Sequence, residues 1–450
     1  MRYSILFLVA GSLGLAIPTG VTESSGKFNV LSISVNGLPE ALDGSASEAE
    51  KIKKAMYMGM YMSQYNYGII NIQKDFAYHN ALYSQDHHRF RTEPSGGFLI
   101  DSGLNTLSNY KWIDFSRIRW DQCSNDSGYD CLSNKGFTFM RVRIHEGVYI
   151  DMINLHADAG VEAGDLEARS ANIAQLADYI NTHSTGNAVI VFGTTNSRYT
   201  RSQDNIRLLI DQNYLKDAWV EAIGSKPPAA GTDAIVCPRG VLPNITCEVV
   251  DKIFYRSSPI VNLKSSGFFY DTSRFLSPDG NALTDHHPVR AEFEYTLTSG
   301  LRQSDLYGGP HGTWFNDLPL IPASPKLSYI ILCGGKRLDT ISIALTSGQI
   351  FGHGGSGGDC YLLPLGPKHY IKSVKLCWDK ADGHTRIFYA QVTINEGRTI
   401  RVGTITKDCA TARAPNGYGV VGTYGRAGDE IDQLGFIYAQ QCAAGEFCFE

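Results

Sequence analysis

Gln73-Lys74-Asp75-Phe76-Ala77-Tyr78-His79 is the stretch on which the reading of the fold turns. It lies early in a region, Phe28 to about Tyr295, where apolar strands alternate with helices. Phe28–Val35, Gly136–Ile144, Tyr149–His156 and Ala188–Phe192 read as strands. Asp165–Asn181 reads as a helix, with Leu166, Ile173, Leu176, Ala177 and Ile180 at helical spacing and Asp165 as its cap. Ser47–Met62 reads as a weaker helix, because its methionines and tyrosines make a poor apolar stripe. Such alternation predicts a layered α/β domain.

Beyond Ser299 the pattern changes. Helical periodicity disappears, and short β-branched runs take over at Thr340–Leu345, Ile371–Leu376, Ile387–Val392 and Thr399–Ile405, broken by glycine-rich turns. That is an all-β sandwich or prism. The run Gly352-His353-Gly354-Gly355-Ser356-Gly357-Gly358 lacks the Lys-Ser/Thr and the helix of a phosphate loop, so it reads as a turn between strands.

At 450 residues the chain has room for two or three domains. A net charge of −5 gives no global footprint for nucleic acid or an anionic membrane. Arg2, the apolar run Ile5–Leu15 and the small residues of Gly14-Leu15-Ala16 read as a secretory signal over residues 1–20, and the run is too short to span a bilayer. A secreted, extracellular chain makes its ten cysteines a disulfide set, and with no CxxC pair a zinc site is not expected. Cys123–Cys131 and Cys237–Cys247 are the local pairs of the first half. The six cysteines of the second half, Cys333, Cys360, Cys377, Cys409, Cys442 and Cys448, allow fifteen connectivities. The sequons at Asn125 and Asn244 each lie between paired cysteines and read as glycosylated surface loops.

Several motifs occur in the order of a known family. They are Gly37-Leu38-Pro39, Gln73-Lys74-Asp75-Phe76, Gly103-Leu104-Asn105-Thr106-Leu107-Ser108, Asn154-Leu155-His156-Ala157-Asp158-Ala159-Gly160, Gly193-Thr194-Thr195-Asn196, Asp251-Lys252-Ile253-Phe254-Tyr255 and Thr284-Asp285-His286-His287-Pro288. Over about 260 residues they resemble the endonuclease/exonuclease/phosphatase (DNase-I-like) superfamily, in its secreted sphingomyelinase-like branch. The resemblance implies a four-layer β-sandwich flanked by helices, spanning 27–298. It implies that His156 stabilises phosphate and leaving oxygen, that His286 is the general base within a motif shared with Asp285, and that Asn196 holds phosphate or water.

Three positions depart from that pattern. Ser34 stands for an Asn that organises the metal, Lys74 for the Glu that holds Mg²⁺, and Thr194 for an Asp that positions the nucleophile. A carboxylate suits so hard a cation. At an effective dielectric of about 20 and about 4 Å, an ammonium beside a dication costs roughly 8 kcal/mol. Three losses in one mechanism predict a degenerate phosphodiesterase with no cofactor. Mg²⁺ belongs to the alternative, an active phosphodiesterase targeted by its second domain. Two expectations follow for the cleft. Either Lys74, His156 and His286 hold a phosphorylated ligand, more strongly below about pH 6.5 where histidines protonate, or Lys74 pairs with Asp285 and spends its charge.

The second region carries Tyr307-Gly308-Gly309-Pro310-His311-Gly312, Phe315-Asn316-Asp317, Leu338-Asp339-Thr340-Ile341-Ser342-Ile343, the glycine run above, and Gly422-Thr423-Tyr424-Gly425-Arg426-Ala427-Gly428 followed by Asp429-Glu430-Ile431-Asp432-Gln433-Leu434-Gly435-Phe436. It resembles a jacalin-related lectin over 302–440, leaving a cysteine-containing tail at 441–450. The resemblance implies a β-prism of three Greek-key sheets that binds glycans without metal, through Gly312 and the loop Gly428, Asp429, Glu430 and Asp432. That loop lacks the aromatic residue common at its second or third position. The expected whole is a secreted two-domain binding protein, its partners glycans and, through the first domain, a phosphorylated ligand or a protein.

Overall fold

A computed structural model describes residues 24–44, 46–94, 102–128 and 130–441. The signal segment 1–20, Cys442, Cys448 and the rest of the tail from 442 onward lie outside the described residues.

The first domain is built on two six-stranded sheets. One orders Val261–Tyr270, Val289–Leu297, Ser25–Ser34, Ile69–Gln73, Asn105–Ser108 and Phe90–Arg91. The other orders Trp112–Arg119, Gly136–His145, Val148–Leu155, Ala188–Thr194, Asp251–Arg256 and Lys216–Asp217. Each sheet has a single parallel pair, Ser25–Ser34 with Ile69–Gln73 and Val148–Leu155 with Ala188–Thr194. Parallel neighbours need a crossover, and each crossover carries one of the two long helices, Glu48–Gln64 and Ala163–His183.

Strand alternation sets the layers. In Ser25–Ser34, Val30 joins the core between the sheets, while Leu31 and Ile33 turn outward with Ile70 and Ile72 onto Ala55, Met58 and Met62 of the first helix. Ile173, Leu176, Ala177 and Ile180 of the second helix cover the outer face of the other sheet. The layering is helix, sheet, sheet, helix. The weak helix is real: Ser47 and Glu50 close its first turn as a capping box. The second helix begins at Ala163 with Glu162 as its cap. Asp165, expected as the cap, is the third helical residue, and its carboxylate accepts from the Glu162 N–H at 3.2 Å.

A buried amide seam joins the sheets beneath the cleft. Asn71 Nδ2 donates to the carbonyls of Ile153 and Phe192, at 3.3 and 3.0 Å. Asn154 Nδ2 donates to those of Ile72 and Asn105, and Gln73 Nε2 donates to Asn154 Oδ1 at 2.7 Å. Buried amides persist only when bonded, so the seam holds the two sheets in one register.

The second domain is three antiparallel sheets. The sheet Leu301–Gln303, Ile431–Gln440, Tyr418–Ala427 and Thr313–Asn316 also takes Tyr307–Gly308. The second orders Ile350–Gly354, Leu338–Leu345, Leu327–Gly334 and Asp359–Pro364. The third orders Thr399–Gly403, His384–Ile394, Ile371–Ala381 and Asp408–Arg413. In the last two, the fourth strand in chain order returns beside the first, a Greek key. Two pairings of the second half are seen among the described residues. Cys333–Cys360 and Cys377–Cys409 each join the first and fourth strands of one Greek key, at directly opposed positions. Cys123–Cys131 and Cys237–Cys247 form in the first domain. Among the described residues, no helix is long and apolar enough to cross a membrane.

A buried ionic network joins the domains. Arg141, with no exposed surface, pairs with Asp114 at 2.9 Å and Asp151 at 2.7 Å, and its guanidinium lies over the Trp314 ring. From the second domain, Arg426 Nε and Gln433 Nε2 each reach Asp114 at 3.1 Å. Asp305 accepts from Arg143 through both oxygens, at 2.9 and 2.8 Å.

Candidate functional site

Strand register assembles the cleft. In one sheet His156 pairs with Thr194, and Thr194 with Asp251, so three neighbouring strands present a row. In the other sheet Ser34 lies opposite Gln73, and Lys74 follows as the chain leaves the strand. Lys74 and Asn196 both adopt left-handed backbone, with φ of +57° and +52°. That conformation is unusual for lysine and costs on the order of 1 kcal/mol, which the surrounding structure must hold in place.

Lys74 Nζ donates to Asp285 Oδ2 at 3.0 Å. Burial alone would raise the Asp285 carboxyl, but Lys74, with His286, holds it below its ordinary range. Of the two expectations for Lys74, the structure shows the pairing with Asp285. Thr194 Oγ1 donates to Asp251 Oδ1 at 2.6 Å, and the other Asp251 oxygen meets His286 Nδ1 at 2.7 Å. An aspartate at position 194 would press two carboxylates together and call for a cation or a shared proton between them. Threonine removes that need by donating a hydroxyl hydrogen.

The two histidines diverge. His286 is raised by the Asp251 charge against the opposing effect of burial. His156 is pushed well below its ordinary value by burial, then by Lys135, Lys74 and His286, and its Nδ1 has no hydrogen-bond partner. Joint protonation of the pair in mild acid, as expected from sequence, is corrected: the two histidines shift in opposite directions. Asn196 donates its amide to the Ala157 carbonyl at 2.9 Å, so that N–H is committed to the backbone and not offered to phosphate. Ser34 Oγ is buried without a partner.

Lys135 was missed by sequence reasoning. Its ammonium, buried beside the cleft, is lowered by burial and opposed by Asp130, which it meets at 2.6 Å. Its only sequence signal is a position just before the strand Gly136–His145. Lys74, Lys135 and His286 thus each face a carboxylate. A dication would meet ammonium where the resemblance asks for carboxylate. Among the described residues, no group of three or more His, Cys, Asp or Glu could hold a metal. The residues present do not fit Mg²⁺.

In the second domain, Gly312 is exposed at φ +72°, and a Cβ there would stand 2.4 Å from Asp432 Oδ2. Gly428 N donates to the Glu430 carbonyl at 3.0 Å, closing the loop, and Asp429 is exposed at its tip. Asp432 is not open as expected. It is 1% exposed, and the Arg386 guanidinium sits on its Oδ1. Arg337 grips both oxygens of Glu430. Asn125 and Asn244 are exposed in their loops, where the sequons were expected to be accessible.

The endonuclease/exonuclease/phosphatase family 2 model matches residues 33–221, and the jacalin-like lectin model matches 304–437. Sphingomyelinase of Mycobacterium bovis is 34% identical over 280 residues, 60% of this chain and 53% of that one. The chain thus spans about half the length of the curated relatives it matches first. Among solved structures, wild-type Malaysian banana lectin shares 22% identity at a TM-score of 0.28, covering 31% of this chain and 99% of that one. A Staphylococcus aureus β-toxin shares 15% at 0.40, covering 59% and 99%. The chain is an endonuclease/exonuclease/phosphatase-type domain followed by a jacalin-like lectin domain.

Proposed function

We propose that this is a secreted glycan-binding protein whose phosphodiesterase-type domain does not cleave phosphodiesters with Mg²⁺. The observation that carries the reading is the Lys74–Asp285 pair, which puts an internal counter-ion where a metal-binding carboxylate is needed. Thr194, bonded to Asp251, supports it by satisfying that carboxylate without a cation. The lectin-type second domain supports glycan binding. Four disulfides suit an oxidising, extracellular setting. With its cations paired, the first domain is read as contacting a protein partner, and the phosphorylated ligand is set aside.

A second reading, an active metal-dependent phosphodiesterase, has one observation in its favour. The His286–Asp251 pair is intact and suits a general base, and the mycobacterial relative, a sphingomyelinase, names the probe.

The test is calorimetric titration of the full chain with Mg²⁺, with sphingomyelin turnover and thermal shift in phosphate. The expected result is no heat, no turnover above the His286→Ala variant and no phosphate stabilisation. The triple variant Ser34→Asn, Lys74→Glu, Thr194→Asp should gain Mg²⁺ binding. Turnover that a chelator and His286→Ala both abolish would overturn the reading and install the second.

A further inference from the structure

The loop that should meet sugar has neutralised its own acids. Asp432 faces Arg386, and Glu430 is held by Arg337 with Arg386 Nε a further 3.6 Å away. A sugar hydroxyl would have to compete with a guanidinium for Asp432. Arg426, whose Nη1 donates to the Gly312 carbonyl at 3.2 Å, is tied to Asp114 of the first domain.

What remains open is flat, with the exposed edge of the Arg386 guanidinium beside it. His311 precedes Gly312, and His384 lies two residues before Arg386 on the neighbouring strand. Their rings sit 4.1 Å apart at a tilt of 38°. Neither ring makes a hydrogen bond among the described residues, so each has N–H capacity to offer. His384 is exposed, and the Arg386 side chain is 24% exposed. Burial lowers His311 from its ordinary value, and His384, Arg386 and Arg426 lower it further. Asp429, at the loop tip, is the one acid of the loop without a guanidinium among the described residues.

Resting on the glycan-binding reading above, we infer that this face takes glycans bearing an acidic group, carboxylate or sulfate, seated against Arg386 and the His311–His384 pair. The imidazole N–H groups donate to the anion, joined by the Arg386 N–H groups that Asp432 does not occupy. The paired rings supply the flat face that the loop itself lacks.

The experiment presents the full chain with matched oligosaccharide pairs on an array, each neutral sugar beside its carboxylated and its sulfated form. The acidic members should bind roughly tenfold more tightly, as one charge-assisted hydrogen bond allows. His384→Glu should erase that preference, and Asp429→Asn should strengthen it. The carboxylate and sulfate arms separate the two acidic chemistries. Equal or better binding of neutral members would overturn this inference and leave the glycan-binding reading standing. So would an acidic preference indifferent to His384→Glu. No binding to any member would overturn both.

Discussion

Asp251 accepts from Thr194 and from His286, Asp285 accepts from Lys74, and Lys135 answers Asp130. Charges in a closed cleft either find partners or shift their titration. Here Lys74 holds Asp285 low against burial, Asp251 raises His286, and burial lowers the unpaired His156. The two histidines therefore push stability in opposite directions with pH. His286 is raised, so its contribution is full below its unfolded value of about 6.5 and fades as pH rises through the folded one. His156 is lowered, so it costs stability as pH falls below about 6.5, where only the unfolded chain takes up its proton. Melting curves between about pH 7 and about pH 5 should show His156→Gln losing less stability on acidification than the parent. His286→Gln should lose more. Identical pH slopes for parent and variants would mean that neither histidine is perturbed.

Elements are held by close approach as much as by propensity. The helix Glu48–Gln64 has methionine and tyrosine on several faces, which is why its apolar stripe is poor in the sequence. Packing assigns them: Met58 and Met62 meet the sheet, and Tyr61 meets Phe275. Gly59 lets this helix touch the short helix His79–Tyr83, since a Cβ there would lie 2.1 Å from the Leu82 carbonyl. Despite alanine's better helix propensity, Gly59→Ala should destabilise the first domain by about 1–3 kcal/mol in urea unfolding, because backbone cannot yield as a side chain can. A stabilised variant would show that the two helices are not in contact.

The whole molecule is joined through charge. Asp114, at φ +58° on an irregular strand, aims its carboxylate at Arg141 and, across the domain boundary, at Arg426. Burial raises this carboxyl, but the two guanidinium groups prevail and lower it. Removing one partner of a buried network strands the others without water. Asp114→Asn should therefore cost about 3–5 kcal/mol by denaturant unfolding. The two domains should then melt as separate transitions in calorimetry. A single unshifted transition would show that the network does not hold the domains together. Because Arg426 also bonds the Gly312 carbonyl, the interface and the lectin loop share one side chain.

The sequence by itself determined what travels in short segments. Strand and helix alternation, the loss of helical period after Ser299 and the two local disulfides are all read from neighbouring residues. Only the tertiary structure decided which charges meet. Lys74 and Asp285 are 211 residues apart, and Arg426 and Asp114 are 312 apart, separations at which no local pattern specifies a partner. The Greek keys chose Cys333–Cys360 and Cys377–Cys409, because register put those side chains opposite one another. The same folding buried Asp432 under Arg386 and turned an expected sugar carboxylate into half of an ion pair. Side-chain chemistry is written residue by residue, but whether a charge is open or spent depends on what the fold brings beside it.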